Sequence, residues 1–358
     1  MKPTLVLLFA VALFCGAATL PDGASRATVV TGGGYFPVLI RLKNGELMAV
    51  LRGGAPHIGV KGRLDIVTSP DEGKSWSGPV TAIDGPDDDR NPAFGQLRNG
   101  DILLAYAIIH GYDETGLKLK AREPAERQVE GVYVVRSGDG GKTWSKPELS
   151  AATHALHKTG GTISPFGKIV QLPDGVVLMS VYYQFWDGRG HQVYVFRSHD
   201  GGKIWGEPAL VGEHSDETAL LTLPSGELLA ALRSEKGGHL SIASSKDQGH
   251  TWSTPVQITH DREHPADLIR LKNGDILLAY GERNAPFGVQ AILSHDGGKT
   301  WDDQTKVTLA NDAVSSDCGY PSSVQLPNGK IVTIYYQVDD PKNTPASAKA
   351  KAIVWSPR

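Results

Sequence analysis

Two interleaved repeats run along the chain and constrain its fold more than any other feature of the sequence. The first is the pattern Ser-x-Asp-x-Gly-x-x-Trp. In such a turn the aspartate holds backbone N–H groups, the glycine adopts a positive φ and the tryptophan fills the gap between neighbouring units. Its five copies are residues 69–76, 137–144, 198–205, 245–252 and 294–301. Each copy places one carboxylate in a fixed position, too few hard oxygen ligands for Ca²⁺, so the pattern predicts structural turns.

The second repeat is a hairpin signal, in which a leucine is followed by two residues, the second usually Asn or Asp, and then by glycine. Asn-Gly and Asp-Gly between apolar runs are strong signals for a tight β-hairpin. The six repeated glycines are Gly45, Gly100, Gly175, Gly226, Gly274 and Gly329, which lie 48 to 75 residues apart. This period suits four-stranded blades, so the sequence predicts an all-β fold, a six-bladed β-propeller with five aspartate turns.

The two ends of the repeat region predict how the ring closes. The sixth blade has no aspartate turn and runs out at residues 352–355. We therefore expect residues 27–31 to return and supply its outer strand, because closure removes exposed sheet edges. The longest insertion within a blade, residues 110–128, is rich in charge and is either a solvated loop or a lid over a site.

Composition narrows the classes of function. The 358 residues include 36 Lys and Arg against 39 Asp and Glu, a formal net charge of −3. The chain therefore lacks the basic excess that binding to a nucleic-acid backbone requires, and no nucleic-acid partner is expected. With 40% hydrophobic and 21% charged residues, the sequence is typical of a folded globular domain.

The N-terminus has the pattern of a secretory signal. Lys2 precedes an apolar run, residues 5–15, and small residues follow at 16–18. The pattern predicts a signal peptide over 1–18, one propeller domain over 19–358, a secreted or periplasmic location, and no transmembrane segment in the mature chain. The bulky Phe14 argues against a lipid anchor on Cys15. Cleavage would leave Cys318 as the single mature cysteine, so no internal disulfide is expected.

Counting from each hairpin glycine aligns the innermost strands, whose starts converge on the axis at one face. Ten and nine residues before the glycine stand Tyr35-Phe36, Arg90-Asn91, Pro165-Phe166, Asp216-Glu217, His264-Pro265 and Gly319-Tyr320. Seven residues after it stand Arg52, Ala107, Tyr182, Arg233, Gly281 and Tyr336. A single strand-end Arg or Tyr is usually a surface ion pair or packing, but this combination in one register predicts an anion pocket lined by aromatic groups. Arg52, Arg90 and Arg233 are expected at the opening of this pocket, where a planar guanidinium group can donate two hydrogen bonds to one carboxylate.

Tyr320 and Glu217 are expected to contact each other at the opening of the same pocket. A tyrosine beside a carboxylate can lose its proton into the carboxylate as its oxygen attacks, which overcomes an ordinary pKa near 10. The pair therefore predicts nucleophilic catalysis by a phenol.

With these repeats and residues, the chain resembles the sialidase (neuraminidase) superfamily of six-bladed, Asp-box (BNR repeat) propellers over essentially all of the mature sequence. Residues 216–233 are similar to the segment that carries the glutamate partner of the nucleophile and the second arginine of a carboxylate-binding triad. Residues 319–329 are similar to the segment with the nucleophilic tyrosine. The resemblance implies that Tyr320 is the nucleophile, Glu217 its base and Arg233 a carboxylate clamp.

The sequence also departs from this superfamily. Tyr35-Phe36-Pro37 stands where the superfamily has Arg-Ile-Pro, so the first triad arginine is missing, and Arg90 or Arg52 is expected to replace its charge. Arg283 is the candidate for the third arginine. The loop 54–63, where the acid/base aspartate belongs, holds no carboxylate. His57 is the candidate proton donor, with Asp267 and Asp113 as rivals. The expected substrate-binding residues are Arg233, Arg90, Arg52, Arg283, Tyr35, Asn91 and Tyr182.

These observations predict a secreted exo-glycosidase that releases a terminal acidic sugar, with sialic acid as the first choice, by a retaining mechanism. The expected partner is an acidic glycan or sialoglycoconjugate. No cofactor is expected, and no metal, since no His/Cys/Asp cluster has ligand spacing. Two alternatives stay open: a glycosidase or lyase acting on another acidic glycan such as a uronic acid, and a glycan-binding propeller without catalysis.

Overall fold

A computed structural model describes residues 20–120, 129–156, 161–340, 344 and 347–357. The predicted signal peptide at 1–18, with Cys15, and the part of the charged insertion at 121–128 lie outside the described residues. Within them the protein is all-β, and the regular helices are one short α-helix, α1 (Ala151–Leu156), and a single 3₁₀ turn at Asp303–Thr305. No helix in the described ranges is long and apolar enough to cross a membrane.

The strands follow one another in groups of four after an initial strand, β1 (Ser25–Thr31). The first group is β2 (Tyr35–Arg41), β3 (Leu47–Gly53), β4 (Arg63–Ser69) and β5 (Val80–Ile83), and the second is β6 (Asp88–Gln96), β7 (Ile102–Ile109), β8 (Val132–Ser137) and β9 (Glu148–Leu149). The third is β10 (Gly161–Gln171), β11 (Val177–Phe185), β12 (Gly190–Ser198) and β13 (Gly206–Glu213). The fourth is β14 (Ala219–Thr222), β15 (Leu228–Arg233), β16 (Leu240–Ser245) and β17 (Val256–Gln257). The fifth is β18 (Glu263–Arg270), β19 (Ile276–Glu282), β20 (Phe287–Ser294) and β21 (Val307–Ala313), and the last strands are β22 (Cys318–Gln325), β23 (Ile331–Val338) and β24 (Ala348–Trp355).

Within each group, consecutive strands pair antiparallel in chain order. The second and third groups also form one eight-stranded sheet, because β6 and β10 share a short parallel pairing at Ala93 and Gly167. Strand β1 pairs antiparallel with β24, with Ala27 opposite Ala352. The prediction that residues 27–31 supply the outer strand of the last group is therefore confirmed.

The six predicted hairpins are confirmed, since each joins the first and second strand of its group. At the first, the Gly45 amide donates to the Leu42 carbonyl at 2.8 Å, and the glycine has a φ of +93°. That φ lies in the left-handed region, where a residue with a Cβ would be strained.

The five aspartate turns share one hydrogen-bond pattern. In the first, Asp71 accepts from the Ser69 hydroxyl and the Ser75 amide, each at 2.9 Å, and the Ser69 hydroxyl accepts from the Gly73 amide. The same contacts recur at Asp139, Asp200, Asp247 and Asp296. The carboxylates thus satisfy local donors, as expected of structural turns.

The apolar core lies between the groups. Each of six clusters of buried apolar residues is shared by two successive groups, and one of them joins the last group to the first. The first strands β2, β6, β10, β14, β18 and β22 contact one another in this order, and β22 contacts β2. Their starting ends therefore surround one region, where the sequence predicts the site.

Candidate active site

A repeated backbone irregularity aims side chains into this region. Phe36, Asn91 and Tyr320, all nine residues before their hairpin glycines, have φ values of +51°, +52° and +50°. Each is followed by proline, and each coincides with a register shift between the first and second strands of its group. Such bulges turn a side chain out of the regular alternation, and a left-handed non-glycine residue costs on the order of 1 to 3 kcal/mol. The fold therefore maintains local strain to place these three side chains.

The three side chains line one pocket. The aromatic rings of Phe36, Phe166 and Tyr320 form much of its wall, together with prolines from three of the first strands. Phe36 and Tyr320 have their ring centroids 4.9 Å apart. The pocket thus has an aromatic wall beside its polar groups.

Tyr320 and Glu217 meet, as the register predicts. The Tyr320 hydroxyl donates to Glu217 Oε1, and Arg233 Nη1 donates to Glu217 Oε2 at 2.5 Å. Arg233 Nε lies 3.4 Å from Asp216 Oδ1, an ion-pair contact without hydrogen-bond geometry. Tyr320, Glu217 and Asp216 are all at least nine-tenths buried.

Burial and the Glu217 charge raise the pKa of Tyr320 well above its usual value of 10, although Arg283 and Arg233 oppose this shift. The phenol is therefore neutral at ordinary pH. Its oxygen can act as a nucleophile only if its proton is removed during attack, and Glu217 is already hydrogen-bonded to that proton.

Arg283 immediately follows β19, and its guanidinium carbon lies 5.5 Å from the centre of the Tyr320 ring. The adjacent loop fixes its backbone, since Arg262 donates to the Arg283 carbonyl at 2.8 and 3.0 Å. Arg283 Nε and Nη2 are buried and have no hydrogen-bond partner among the described residues. Buried donors are rarely left unpartnered in folded proteins, so these two groups point to a ligand that completes them.

Arg90 directly precedes Asn91, one of the residues that line this pocket. Its Nε donates to Asn91 Oδ1 at 3.1 Å, its Nη1 lies 3.3 Å from Asp88 Oδ2, and its guanidinium carbon is 5.3 Å from the Phe36 ring centre. Asn91 in turn donates to the Tyr182 hydroxyl at 2.7 Å. Arg90, Asn91 and Tyr182 thus form one connected set, and Arg90 acts electrostatically on both Tyr182 and Tyr320.

The structure corrects two predicted substrate contacts, Arg52 and Tyr35, both of which are 0% exposed. Arg52 donates to Asp88 Oδ1 and to the carbonyls of Pro56 and Gly59. Its strand face was predicted correctly, but the loop after β3 folds over it, so a ligand entering from solvent cannot reach it. Arg52 instead holds that loop and Asp88, which supports Arg90.

His57 lies on that loop at the pocket rim, with its ring centroid 5.0 Å from that of Phe36. Its Nδ1 is 2.9 Å from Asp317 Oδ1, and the Tyr336 hydroxyl donates to the same oxygen at 2.6 Å. Burial would raise the pKa of Asp317, but the contacts with His57 and Tyr336 and the charge of Arg283 lower it below its usual value. Asp317 is thus an ionised partner that orients the His57 ring.

Asp267, a predicted rival proton donor, lines the pocket but is fully engaged. Lys168 Nζ is 2.7 Å from both of its carboxylate oxygens, and the Ser323 amide donates to Oδ2 at 2.6 Å. Burial raises the pKa of Asp267, while the ion pair with Lys168 and the hydrogen bond from the Ser323 amide oppose this shift, so its role as a proton donor stays a prediction. Asp113, the other rival, accepts hydrogen bonds from Thr115 that lower its pKa.

Sequence reasoning missed Asp88 and Asp317. Asp88 is fully buried between Arg52, Arg90 and the Tyr112 hydroxyl. Each of the two acids stands two or three residues before a register position, at Arg90 and Tyr320. Their closeness in sequence to Arg90 and Tyr320 could have marked them as site residues. The alignment on the hairpin glycines, however, covered only the tenth and ninth residues before each glycine and so left both acids out. No group of three or more His, Cys, Asp or Glu side chains in the described segments is arranged to hold a metal ion.

Comparison with known proteins identifies the family of the chain. The family described as the BNR repeat-like domain matches residues 90–333, well over half of the chain. The chain therefore belongs to this family, in the sialidase and BNR-repeat superfamily.

Two curated relatives are sialidases. The one from Bacteroides fragilis (strain YCH46) is 25% identical over 235 residues, which is 62% of this chain and 42% of that protein. The one from Micromonospora viridifaciens is 26% identical over 267 residues, which is 71% of this chain and 40% of that protein. This chain thus spans less than half the length of either relative.

A solved structure shares the fold across its whole length. A Dyadobacter fermentans protein of unknown function has a TM-score of 0.78 and 24% sequence identity, with 94% of this chain and 100% of that chain covered.

Proposed function

We propose that this protein is an exo-glycosidase that releases a terminal acidic sugar, with sialic acid as the first candidate, by a retaining mechanism. The observation that carries the proposal is the hydrogen bond from Tyr320 to Glu217 beside Arg283, whose buried Nε and Nη2 have no partner within the described part of the chain. A propeller that only binds glycans would not need a phenol in hydrogen-bond contact with a carboxylate. The Tyr320–Glu217 pair therefore favours catalysis over binding alone.

We infer that the strand groups are the blades of one closed six-bladed propeller with five aspartate-box turns, formed by residues 19–358. The cyclic contacts of the first strands and the apolar clusters between successive groups support this. The signal-like residues 1–18 support export, so we place the mature protein in a secreted or periplasmic location.

In the proposed reaction, the Tyr320 oxygen attacks the anomeric carbon and its proton passes to Glu217. The anomeric carbon of a sialoside carries its own carboxylate, and a neutral phenol avoids the repulsion that a carboxylate nucleophile would meet. Water then attacks the same carbon, the bond to Tyr320 breaks, and the phenol oxygen recovers its proton from Glu217. Two displacements at one carbon retain the anomeric configuration.

Departure of the leaving group needs a proton at the glycosidic oxygen, and we assign that role to His57. Asp317 holds Nδ1 of the ring at 2.9 Å, which leaves Nε2 as the nitrogen that can serve the pocket. In the second step the same nitrogen accepts the proton of the attacking water. The His57–Asp317 pair would thus replace the carboxylate that loop 54–63 lacks.

The sugar carboxylate would be bound by Arg90, Arg233 and Arg283. Arg283 supplies two buried nitrogen donors, Nε and Nη2, and Arg90 adds a guanidinium whose Nε and Nη1 are held by Asn91 and Asp88. Charge-assisted hydrogen bonds of this kind are the strong ones, and an arginine fork can give two of them to one carboxylate.

One observation favours a second candidate, a glycosidase or lyase acting on a uronic acid. Tyr35 stands where the superfamily pattern has the first arginine, and its neighbour Phe36 contributes an aromatic wall, so the acidic group meets fewer cations than the superfamily pattern provides.

A panel of chromogenic sialosides and uronides, with the released sugar identified by mass spectrometry, tests the proposal. We expect release of an acidic sugar from the non-reducing end, with sialosides the best substrates. Release from uronides alone would select the second candidate. Binding of acidic sugars without release from any substrate would select a glycan-binding protein.

A further inference from the structure

A buried histidine that the proposed reaction does not use stands beside the predicted anion site. His264, in β18, occupies the same register position as Arg90 and Asp216, ten residues before its hairpin glycine. The ring is more than nine-tenths buried, and its Nδ1 has no hydrogen-bond partner among the described residues. A buried polar atom without a partner is costly unless something else completes it.

The backbone brings His264 next to the nucleophile. A Cβ placed on Gly281 would lie 2.6 Å from the His264 carbonyl oxygen and 3.2 Å from the Gly319 Cα, the residue before Tyr320. Only glycine allows β18, β19 and β22 to approach so closely at this point. His264 is thus held at the same end of the first strands as Tyr320.

Packing also determines which edge of the ring is available. A Cβ on Gly238 would lie 2.5 Å from Cδ2 and 2.6 Å from Nε2 of His264, so this edge lies against the Gly238 backbone. Nδ1 is on the other edge. The cations that act on the ring are Arg233, Arg283 and Arg262, and together with burial they lower the pKa of His264 to about 2. The ring is therefore neutral throughout the physiological range.

We propose that His264 contacts the ligand, donating its Nδ1–H to the acidic group that Arg233 and Arg283 bind. A neutral imidazole adds one donor without adding a third positive charge to a crowded, buried pair of arginines. It also offsets part of the hydrogen-bond donor capacity that is lost because Tyr35 stands in place of the first arginine. This inference rests on the proposed function, because it needs an acidic ligand at these arginines.

The test measures binding by titration calorimetry with 2,3-didehydro-N-acetylneuraminic acid and its C1 carboxamide. His264→Phe removes the donor and should weaken binding of the acid about tenfold, or about 1.4 kcal/mol, with less than threefold change for the amide. His264→Asn can place an amide N–H near the Nδ1 position and should retain the affinity for the acid within about threefold. His264→Gln reaches instead toward the Nε2 position and should behave like His264→Phe.

The comparison of Asn with Gln keeps the test valid if the phenylalanine variant does not fold, since both amides are polar and differ only in reach. Thermal unfolding without ligand reports whether each variant is folded. A purely structural role for His264 would change binding of the acid and the amide equally. If the wild-type protein prefers the acid and all folded His264 variants keep that preference, the contact from His264 is wrong, and the proposed function is unaffected. If the wild-type protein binds neither ligand, the sialic-acid form of the proposed function fails, and this inference with it.

Discussion

Arg283 is the residue whose replacement should separate stability from ligand binding most clearly. Its Nε and Nη2 are buried without a partner among the described residues, and burial and the positive charge of Arg233 oppose its ionised form, although Tyr336, Tyr320 and Glu217 raise its pKa. A buried donor without a partner costs about 1 to 3 kcal/mol. Arg283→Met keeps an unbranched side chain and removes both donors. We therefore expect the free energy of unfolding of the ligand-free protein to rise by about 1 kcal/mol or more.

The same substitution should weaken binding of an acidic sugar. Hydrogen bonds to a charged group contribute about 1.5 to 3 kcal/mol, which corresponds to a rise in Kd of roughly ten- to 150-fold. A ligand with a neutral amide in place of the carboxylate should lose much less. Urea unfolding of the ligand-free protein and calorimetric titration with the acid and amide measure the two effects separately.

Arg41→Met is the matched control. Arg41 is an exposed arginine at the far end of β2, away from the site, and its loss should leave both affinities unchanged. If Arg283→Met unfolds more easily than the wild type and binds the acid equally well, the donors of Arg283 are satisfied within the protein and the anion site is wrongly assigned.

Three further substitutions or treatments test other parts of the site. Tyr320→Phe should reduce kcat by orders of magnitude with folding intact, because it removes only the attacking oxygen; near-normal turnover would reassign Tyr320 to packing. Arg90→Ala should raise the Kd of an acidic ligand by roughly ten- to a hundredfold. Arg90→Lys should restore binding only in part, since an ammonium group cannot reproduce the paired hydrogen bonds of a planar guanidinium. Equal affinities of wild type and Arg90→Ala for both acid and amide would exclude Arg90 from the anion site. EDTA should leave activity and thermal stability unchanged, and a loss that added metal reverses would contradict the metal-free mechanism.

Much of the fold could be predicted because its signals are local. Asn-Gly and Asp-Gly turns need positive φ, and the aspartate of each turn satisfies donors within four residues, so both repeats can be read without knowledge of tertiary structure. The pairing of β1 with β24 followed from the missing outer strand of the last group. The meeting of Tyr320 and Glu217 followed from their common register.

The parts of the site that were missed or misplaced depend on loops. Register gives the strand face of Arg52 but not its depth, which is determined by the loop that covers it. Asp317 reaches His57 across 260 positions of sequence, and no local pattern signals such a contact. Asp267 lies on the predicted strand, but its pairing with Lys168 on β10 depends on how two distant strands approach the axis.

The covalent intermediate on Tyr320 is the most direct test of the proposed chemistry. A 3-fluorosialyl fluoride should label the wild-type protein, because the fluorine at C3 slows both displacements, whereas fluoride at C2 is a good leaving group that keeps the first displacement fast enough for the intermediate to accumulate. Fluoride leaves C2 as the bond to Tyr320 forms, so digestion and mass spectrometry should then show one added 3-fluorosialyl group on the peptide that contains Tyr320, and none on the folded Tyr320→Phe variant. A label on any other residue, or turnover of a sialoside with inversion of the anomeric configuration by NMR, would contradict the mechanism.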